Sequence, residues 1–268
     1  MPVLCFDLDG TLLDERERIH PADREILAGD RTRAILIPTT GRPLESVRRT
    51  FQRNGLFRDA SLPLPLVLLN GSLVHAPGER RLAYRPFEPL VQSELIALAQ
   101  DFPEVTFLFL GEGPAQMLHP SAFGWAAAER YECTTQEFTP ASRDVPSGKV
   151  MCMHPDHSVL EPLDRALEGI AVEKSFSVPF SLELTARGVD KGSGLQILLE
   201  RLDLSTHPLL AAGDGGNDLP MLSLAEAFFV PTSAPQEVRE KATCLVDMPR
   251  TGLLGPMLEY AFAHFKLS

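Results

Sequence analysis

The chain has 268 residues, 44% of them hydrophobic and 23% charged, which is typical of a soluble globular protein and excludes disordered, collagen-like and disulfide-scaffold classes. Its formal net charge of −11 argues against a nucleic-acid partner, because a surface that neutralises phosphates needs many Lys and Arg residues. The four cysteines form no CxxC pair and the apolar runs are short. We therefore expect a cytoplasmic protein with no disulfide framework, no zinc site and no membrane partner.

Strands and helices alternate in the first 70 residues. Val3 to Phe6 is a continuous apolar run, as expected for a strand that is buried on both faces of a parallel sheet. Pro43 begins a helical segment in which Leu44, Val47 and Phe51 share one face. The pattern predicts strands over 3–6, 34–37 and 64–69, and helices over 21–27 and from 43 onward. We therefore expect an open α/β sheet with right-handed crossovers.

The end of the chain repeats this alternation, whereas the middle does not. The final part predicts helices over 192–202, 219–225, 236–241 and 253–265, with strands over 209–212, 228–230 and 244–246. Between 79 and 187 the pattern instead predicts a hairpin, two helices and further strands, which is an α+β arrangement. We predict a core built from 1–78 and 188–268, interrupted by an inserted domain over 79–187.

Two acidic clusters follow predicted strands. Asp7-Leu8-Asp9-Gly10-Thr11 comes directly after the first strand, and Gly213-Asp214-Gly215-Gly216-Asn217-Asp218 comes after the strand over 209–212. Ligands of open α/β sheets bind beyond the carboxyl ends of the strands, so both clusters should lie at the ligand-binding edge. Acids that converge there repel one another unless a cation lies between them, and hard oxygen ligands suit Mg²⁺. Taken alone, each cluster is also compatible with a polar turn or a helix cap.

Two further segments can complete a phosphate site. Thr39-Thr40-Gly41-Arg42 follows the second strand and offers a hydroxyl and backbone N–H groups at the start of a helix. It is equally compatible with a helix cap before Pro43. Lys191 begins the helix after the insert, where its compact ammonium can neutralise a phosphate or serve only as a solvated surface charge. Arg42 can contact the substrate or pair with an acid.

The order of these segments resembles that of the haloacid dehalogenase superfamily, and more narrowly its Cof-like sugar-phosphatase branch. The resemblance extends over essentially the whole chain and also includes Asn70-Gly71 and the run from Gly188 to Gly192. It implies an α/β protein with a Rossmann-like parallel-sheet core and a cap domain inserted after the third core strand. The predicted insert over 79–187 matches that plan.

The resemblance also implies a role for each site residue. Asp7 would be the nucleophile that forms an aspartyl-phosphate, and Asp9 the general acid and then the base. The Mg²⁺ ligands would come from Asp7, the backbone carbonyl of Asp9 and Asp214, with Asp218 in support. The remaining groups, which would hold phosphoryl oxygens, are Thr40, Lys191, Asn217 and the backbone N–H groups of Leu8, Asp9 and Gly41. Because a halide leaving group needs no proton, the presence of Asp9 favours phosphoryl chemistry over dehalogenation.

Three functional hypotheses follow. The first is a Mg²⁺-dependent phosphatase that hydrolyses small phosphorylated metabolites, most plausibly sugar phosphates, because a cap of this size would cover the site against protein substrates. The second is a phosphomutase that moves the phosphoryl group between sugar hydroxyls with the same aspartate pair. The third is a regulatory protein that binds a phosphorylated metabolite with little turnover, against which the intact Asp7, Asp9, Lys191 and Asp214 argue.

Overall fold

The structure of the chain is a computed structural model that describes residues 1–29, 32–58, 61–178 and 180–265, without the side chain of residue 177. The predicted domain ranges also contain a few positions that lie outside the described residues. The strands are β1 (Val3–Phe6), β2 (Ile35–Pro38), β3 (Leu66–Leu68), β4 (Leu73–Ala76), β5 (Arg80–Tyr84), β6 (Thr106–Leu110), β7 (Ala115–Leu118), β8 (Thr135–Glu137), β9 (Lys149–Met153), β10 (Val172–Val178), β11 (Ser181–Ala186), β12 (Leu209–Ala212), β13 (Ala227–Pro231) and β14 (Cys244–Val246). The α-helices are α1 (Pro21–Ala28), α2 (Leu44–Arg53), α3 (Pro89–Ala99), α4 (Ala122–Arg130), α5 (Leu160–Ala166), α6 (Lys191–Arg201), α7 (Leu219–Leu222), α8 (Gln236–Arg239), α9 (Met248–Thr251) and α10 (Leu254–His264).

A parallel five-stranded sheet forms the core, in the order β14-β13-β12-β1-β2. Phe6, the last residue of β1, lies opposite Ala212 of β12 and Pro38 of β2. The residues that follow these three positions therefore emerge at the same sheet edge. This register brings the two acidic clusters and the Thr39-Thr40-Gly41-Arg42 segment together.

Helices cover both faces of the core sheet. Alternate residues of β1 point to opposite faces, so Leu4 and Phe6 pack in one apolar cluster and Val3 and Cys5 in the other. The first cluster includes side chains of α2 and α10, and the second includes side chains of α6. Because both faces are covered, all four residues of β1 are fully buried.

The predicted third strand differs from expectation. The run over 64–69 forms the short strand β3, which pairs antiparallel with β4 in a separate three-stranded sheet, β3-β4-β5. A single parallel bridge between Thr39 and Val67 connects it to the end of the core sheet. The chain turns back at Asn70 and Gly71, which both adopt positive φ, so the run is too short to extend the parallel ladder. Strand β5 belongs to this small sheet although it lies within the predicted insert, whose boundaries stay a prediction.

A second, six-stranded sheet has the order β10-β11-β9-β6-β7-β8. This sheet and the helices packed on it are called the cap. Its pairs are antiparallel except for β7 with β8. One face packs against α3 and α5 through residues such as Val150 and Cys152. The other face, which carries Met151 and Met153, packs in the same apolar cluster as the core. The inner face of the cap therefore covers the core.

Polar contacts also join the cap to the core. Arg53 of α2 forms a 2.7 Å ion pair with Glu132, which follows α4 in the cap. The hydroxyl of Thr134 donates a 2.8 Å hydrogen bond to Glu45, also on α2. Within the described ranges, no helix is both long enough and apolar enough to span a membrane.

Candidate active site

Asp7 lies at the end of β1 beside a fully buried lysine. Lys191, the first residue of α6, places its Nζ 2.9 Å from Asp7 Oδ1 and 2.6 Å from Asp218 Oδ1. The second oxygen of Asp218 accepts hydrogen bonds of 2.9 Å from the backbone N–H groups of Asp214 and Gly215. Asp218 is completely buried. It therefore holds both the lysine and the turn that carries Asp214.

Asp214 approaches the same point from the neighbouring strand. Thr11 donates a 2.8 Å hydrogen bond to Asp214 Oδ1. A Cβ on Gly10 would lie only 2.3 Å from Asp214 Oδ2, and Gly10 has a φ of +73°, so only glycine fits this turn. Carboxylate oxygens of Asp7, Asp214 and Asp218 lie within 4.8 Å of one another. The structure thus brings together three of the four predicted acidic residues.

The electrostatics of this group favour a bound cation. Burial raises the pKa of Asp7 well above its usual range, and the neighbouring carboxylates raise it further although Lys191 opposes them. Burial and the charge of Asp218 likewise raise the pKa of Asp214 to about 6. Carboxylates so crowded are stabilised in their ionised form by a divalent cation. Their oxygen-only donor set fits Mg²⁺.

The carboxylate of Asp9 is held apart from this group. Arg42 donates to both of its oxygens, with 2.8 Å between Nε and Oδ2. The guanidinium is itself buried and donates to Thr50 Oγ1 at 2.8 Å. Although burial favours the neutral acid, pairing with Arg42 keeps the pKa of Asp9 below its usual value. The Asp9 side chain is 46% exposed, so its carboxylate remains accessible from the cavity that it lines.

The predicted phosphate-binding residues surround Asp7 in different ways. Gly41 and Asn217 line the same cavity as Asp7. Leu8 is fully buried, and its carbonyl accepts from the N–H of Leu13 at 2.8 Å, which turns the chain back over β1. Thr40 is also fully buried, and its Oγ1 accepts a 3.2 Å hydrogen bond from the N–H of Arg42. Thr40 and Leu8 therefore support the loops, while Gly41 and Asn217 lie at the cavity surface.

A cavity of about 290 Å³ extends from Asp7 to the inner face of the cap. Its floor is formed by the core residues just described, and its roof by cap residues of mixed character: Leu110, Arg130, Tyr131, Cys133, Lys149, Met151, Val178, Phe180 and Glu183. None of these cap residues has a role that can be derived from the sequence pattern. The only available sequence signal was a charged residue at the start of an apolar strand, as in Lys149-Val150-Met151.

Comparisons with known proteins agree with this arrangement. A family model described as haloacid dehalogenase-like hydrolase matches residues 4–252. An HMP-PP phosphatase from Cronobacter sakazakii is 27% identical over 272 residues, covering 97% of this chain and 93% of that protein.

Two solved structures are similar over nearly the whole chain. TM0651 from Thermotoga maritima has a TM-score of 0.79 at 21% identity, with 97% of each chain covered. The subclass IIB sugar phosphatase BT4131 has a TM-score of 0.78 at 18% identity, covering 97% of this chain and 99% of that one. The structural matches confirm the predicted fold class. The family model and the phosphatase relative confirm the predicted resemblance and the prediction of a phosphatase.

Proposed function

The chain belongs to the haloacid dehalogenase-like hydrolase family, and we propose that it is a Mg²⁺-dependent phosphatase that hydrolyses small phosphomonoesters, in particular sugar phosphates, through an aspartyl-phosphate on Asp7. One observation carries this proposal. Asp7 lies at the carboxyl end of β1, within 4.8 Å of two further carboxylates and 2.9 Å from the ammonium of Lys191. This combination suits phosphoryl transfer, which depends mainly on positioning and charge neutralisation.

Asp7 and Asp9 divide the chemistry between them. An oxygen of Asp7 forms a bond to phosphorus while the bond to the leaving oxygen breaks, and Asp9 donates a proton to that oxygen. To act as this acid, Asp9 must first take up a proton and give up its pairing with Arg42, which holds it ionised in the structure. Water then attacks the aspartyl-phosphate, Asp9 accepts its proton, and inorganic phosphate leaves Asp7. Arg42 keeps the Asp9 carboxylate at the cavity wall between these two steps.

The remaining site residues bind and orient the phosphoryl group. Lys191 lies on the cavity surface next to Asp7 and can neutralise a phosphoryl oxygen. The N–H of Gly41 and the side-chain amide of Asn217 would donate to the other oxygens, since both residues line the cavity. Mg²⁺, when held by the carboxylates of Asp7 and Asp214, would offset the negative charge of the phosphoryl group. The Asp9 carbonyl would be a further ligand of the ion, and Asp218 would support the same site.

The cap limits the size of the substrate. The cavity of about 290 Å³ is closed above by cap residues such as Met151 and Phe180, which leaves room for a small metabolite rather than a protein chain. HMP-PP and sugar phosphates, which the relatives' names mention, are both of suitable size. The mixture of apolar and charged side chains in the roof suits a leaving group with hydroxyl groups on a carbon skeleton.

The test is phosphate release by the purified protein from a panel of sugar phosphates, HMP-PP and phenyl phosphate. We expect turnover with Mg²⁺ and none with EDTA, and no turnover by Asp7→Asn. The matched control is Asp101→Asn, an exposed aspartate in the turn after α3, which should behave as the wild type. Wild-type protein that releases no phosphate from any compound, or an Asp7→Asn variant that retains activity, contradicts the proposal.

A further inference from the structure

The roof of the cavity contains a buried ion pair that the proposed chemistry does not use. Lys149 Nζ lies 2.8 Å from Glu183 Oε2, and the two side chains are 2% and 4% exposed. Glu183 of β11 lies opposite Met151 of β9, two residues from Lys149. Because every second residue of a strand shares a face, all three side chains point to the inner side of the cap. Both charged residues line the cavity.

The pair is attached to the core at two points. Glu183 Oε2 accepts a 2.7 Å hydrogen bond from the side-chain amide of Asn70, in the turn after β3. Lys149 Nζ donates to the carbonyl oxygen of Gly41 at 3.1 Å. A Cβ on Gly41 would lie 2.7 Å from this Nζ, so a side chain at position 41 would push the ammonium away from the loop. The ammonium of a cap residue is thus fixed beside the loop that is predicted to bind the phosphoryl group.

The ammonium has one more donor than these contacts use. A lysine ammonium carries three N–H groups, and two acceptors account for two of them, Gly41 O and Glu183 Oε2. A buried ammonium with an unused N–H at a cavity surface is costly unless a ligand completes its hydrogen bonds. The phosphoryl group is expected to be bound by core residues, Lys191 and Asp7 among them, whereas Lys149 belongs to the cap. A group on the cap therefore faces the leaving group.

We propose that Lys149 is a substrate-binding residue that donates its remaining N–H to an oxygen of the leaving group, and that Glu183 and Asn70 position it. The inference rests on the proposed phosphatase function and adds the residue that recognises the leaving group. An oxygen of the hydroxyl-bearing carbon skeleton would accept from Lys149, while its apolar side would pack against Met151 and Phe180, which line the same cavity. A leaving group without such an oxygen, as in phenyl phosphate, gains nothing from Lys149.

The experiment compares kcat/KM for the most active hexose phosphate of the panel with kcat/KM for phenyl phosphate. In Lys149→Met the ratio of the two values should fall by about 10-fold to 100-fold, the range expected for one hydrogen bond to a charged group. Lys174→Met is the control, because Lys174 forms an exposed ion pair with Asp164 elsewhere in the cap. Its ratio should equal that of the wild type.

A second variant covers the case in which Lys149→Met does not fold, since that variant removes the ammonium that neutralises the buried Glu183 carboxylate. Lys149→Met combined with Glu183→Gln removes both charges and should show the same fall in the ratio, with thermal unfolding as the check of folding. Equal losses for both substrates, an unchanged ratio, or a wild type that prefers phenyl phosphate would overturn the inference. A wild type inactive on every substrate would instead contradict the phosphatase proposal itself.

Discussion

Replacement of Lys191 by methionine tests the electrostatic basis of the site. The Lys191 side chain is fully buried and forms ion pairs with Asp7 and Asp218, whose side chains are 8% and 0% exposed. Lys191→Met keeps most of the side-chain volume but leaves both carboxylates without their cation. Removal of one partner from a buried ion pair costs about 3–5 kcal/mol. We expect a loss of this size in the free energy of unfolding, measured by urea denaturation in EDTA.

Lys174→Met provides the matched comparison. Lys174 also pairs with an aspartate at 2.6 Å, but the two side chains are 32% and 37% exposed. Exposed pairs contribute about 0–1 kcal/mol, so this variant should lose little stability. Millimolar Mg²⁺ should restore part of the stability of Lys191→Met, because a divalent cation between Asp7 and Asp214 offsets the same negative charge. It should do little for Lys174→Met.

The outcome separates two explanations of Lys191. A loss below about 1 kcal/mol, equal to that of the control, would show that solvent or rearrangement relieves the buried carboxylates. The electrostatic account of the site would then be wrong. A large loss of stability that Mg²⁺ does not change would support the role of the Lys191 ion pairs but contradict the proposed position of the cation between Asp7 and Asp214.

Three further predictions concern the core residues. Asp7→Asn should lower kcat by roughly 10³-fold or more in the phosphate-release assay, because it removes the nucleophile. Its free energy of unfolding, measured by urea denaturation, should stay similar or rise, because the variant also removes one buried charge. The folded protein raises the pKa of Asp214 to about 6, from its ordinary value of 3.8, so the folded state holds this proton more tightly. In EDTA the free energy of unfolding should therefore fall as the pH rises from about 4 to 6. Asp214→Asn should flatten that dependence, and an equally steep curve in the variant would assign the effect to other groups. Gly10→Ala should weaken Mg²⁺ binding, seen by calorimetry, because the added methyl meets Asp214 Oδ2.

The sequence predicted the parts of the site that follow directly from strand ends. An apolar run followed at once by Asp7, and another followed by Gly213 and Asp214, suffice to place both clusters once the strands are parallel. The register of Phe6 with Ala212 shows why this works: the two strands end at the same level. The meeting of the two acidic clusters depends on the order of the parallel strands and not on side-chain conformation. The alternation of strand and helix patterns along the chain is enough to predict that order.

Other parts depend on pairs of residues that no local pattern connects. Arg42 and Asp9 are 33 residues apart, and Lys149 and Gly41 are 108 residues apart. Which partner a buried charge finds is decided by how the cap packs on the core. Helix α4 was missed because Ala122–Arg130 contains a glycine and three consecutive alanines, which give a weak apolar stripe. Strand β8 was missed because its three residues, Thr-Gln-Glu, are all polar.

The balance of charge around Asp7 supports the proposal that a cation accompanies the substrate. The carboxylates of Asp7, Asp9, Asp214 and Asp218 meet only two cations of the core, Lys191 and Arg42, within the part of the site that the structure describes. Lys149 does not correct this imbalance, because Glu183 neutralises it. The excess of two negative charges would repel a phosphomonoester dianion, and one divalent cation cancels it. The same excess raises the pKa of Asp214, so proton binding and metal binding compete for one site, and phosphate affinity should follow the occupancy of that site by the metal.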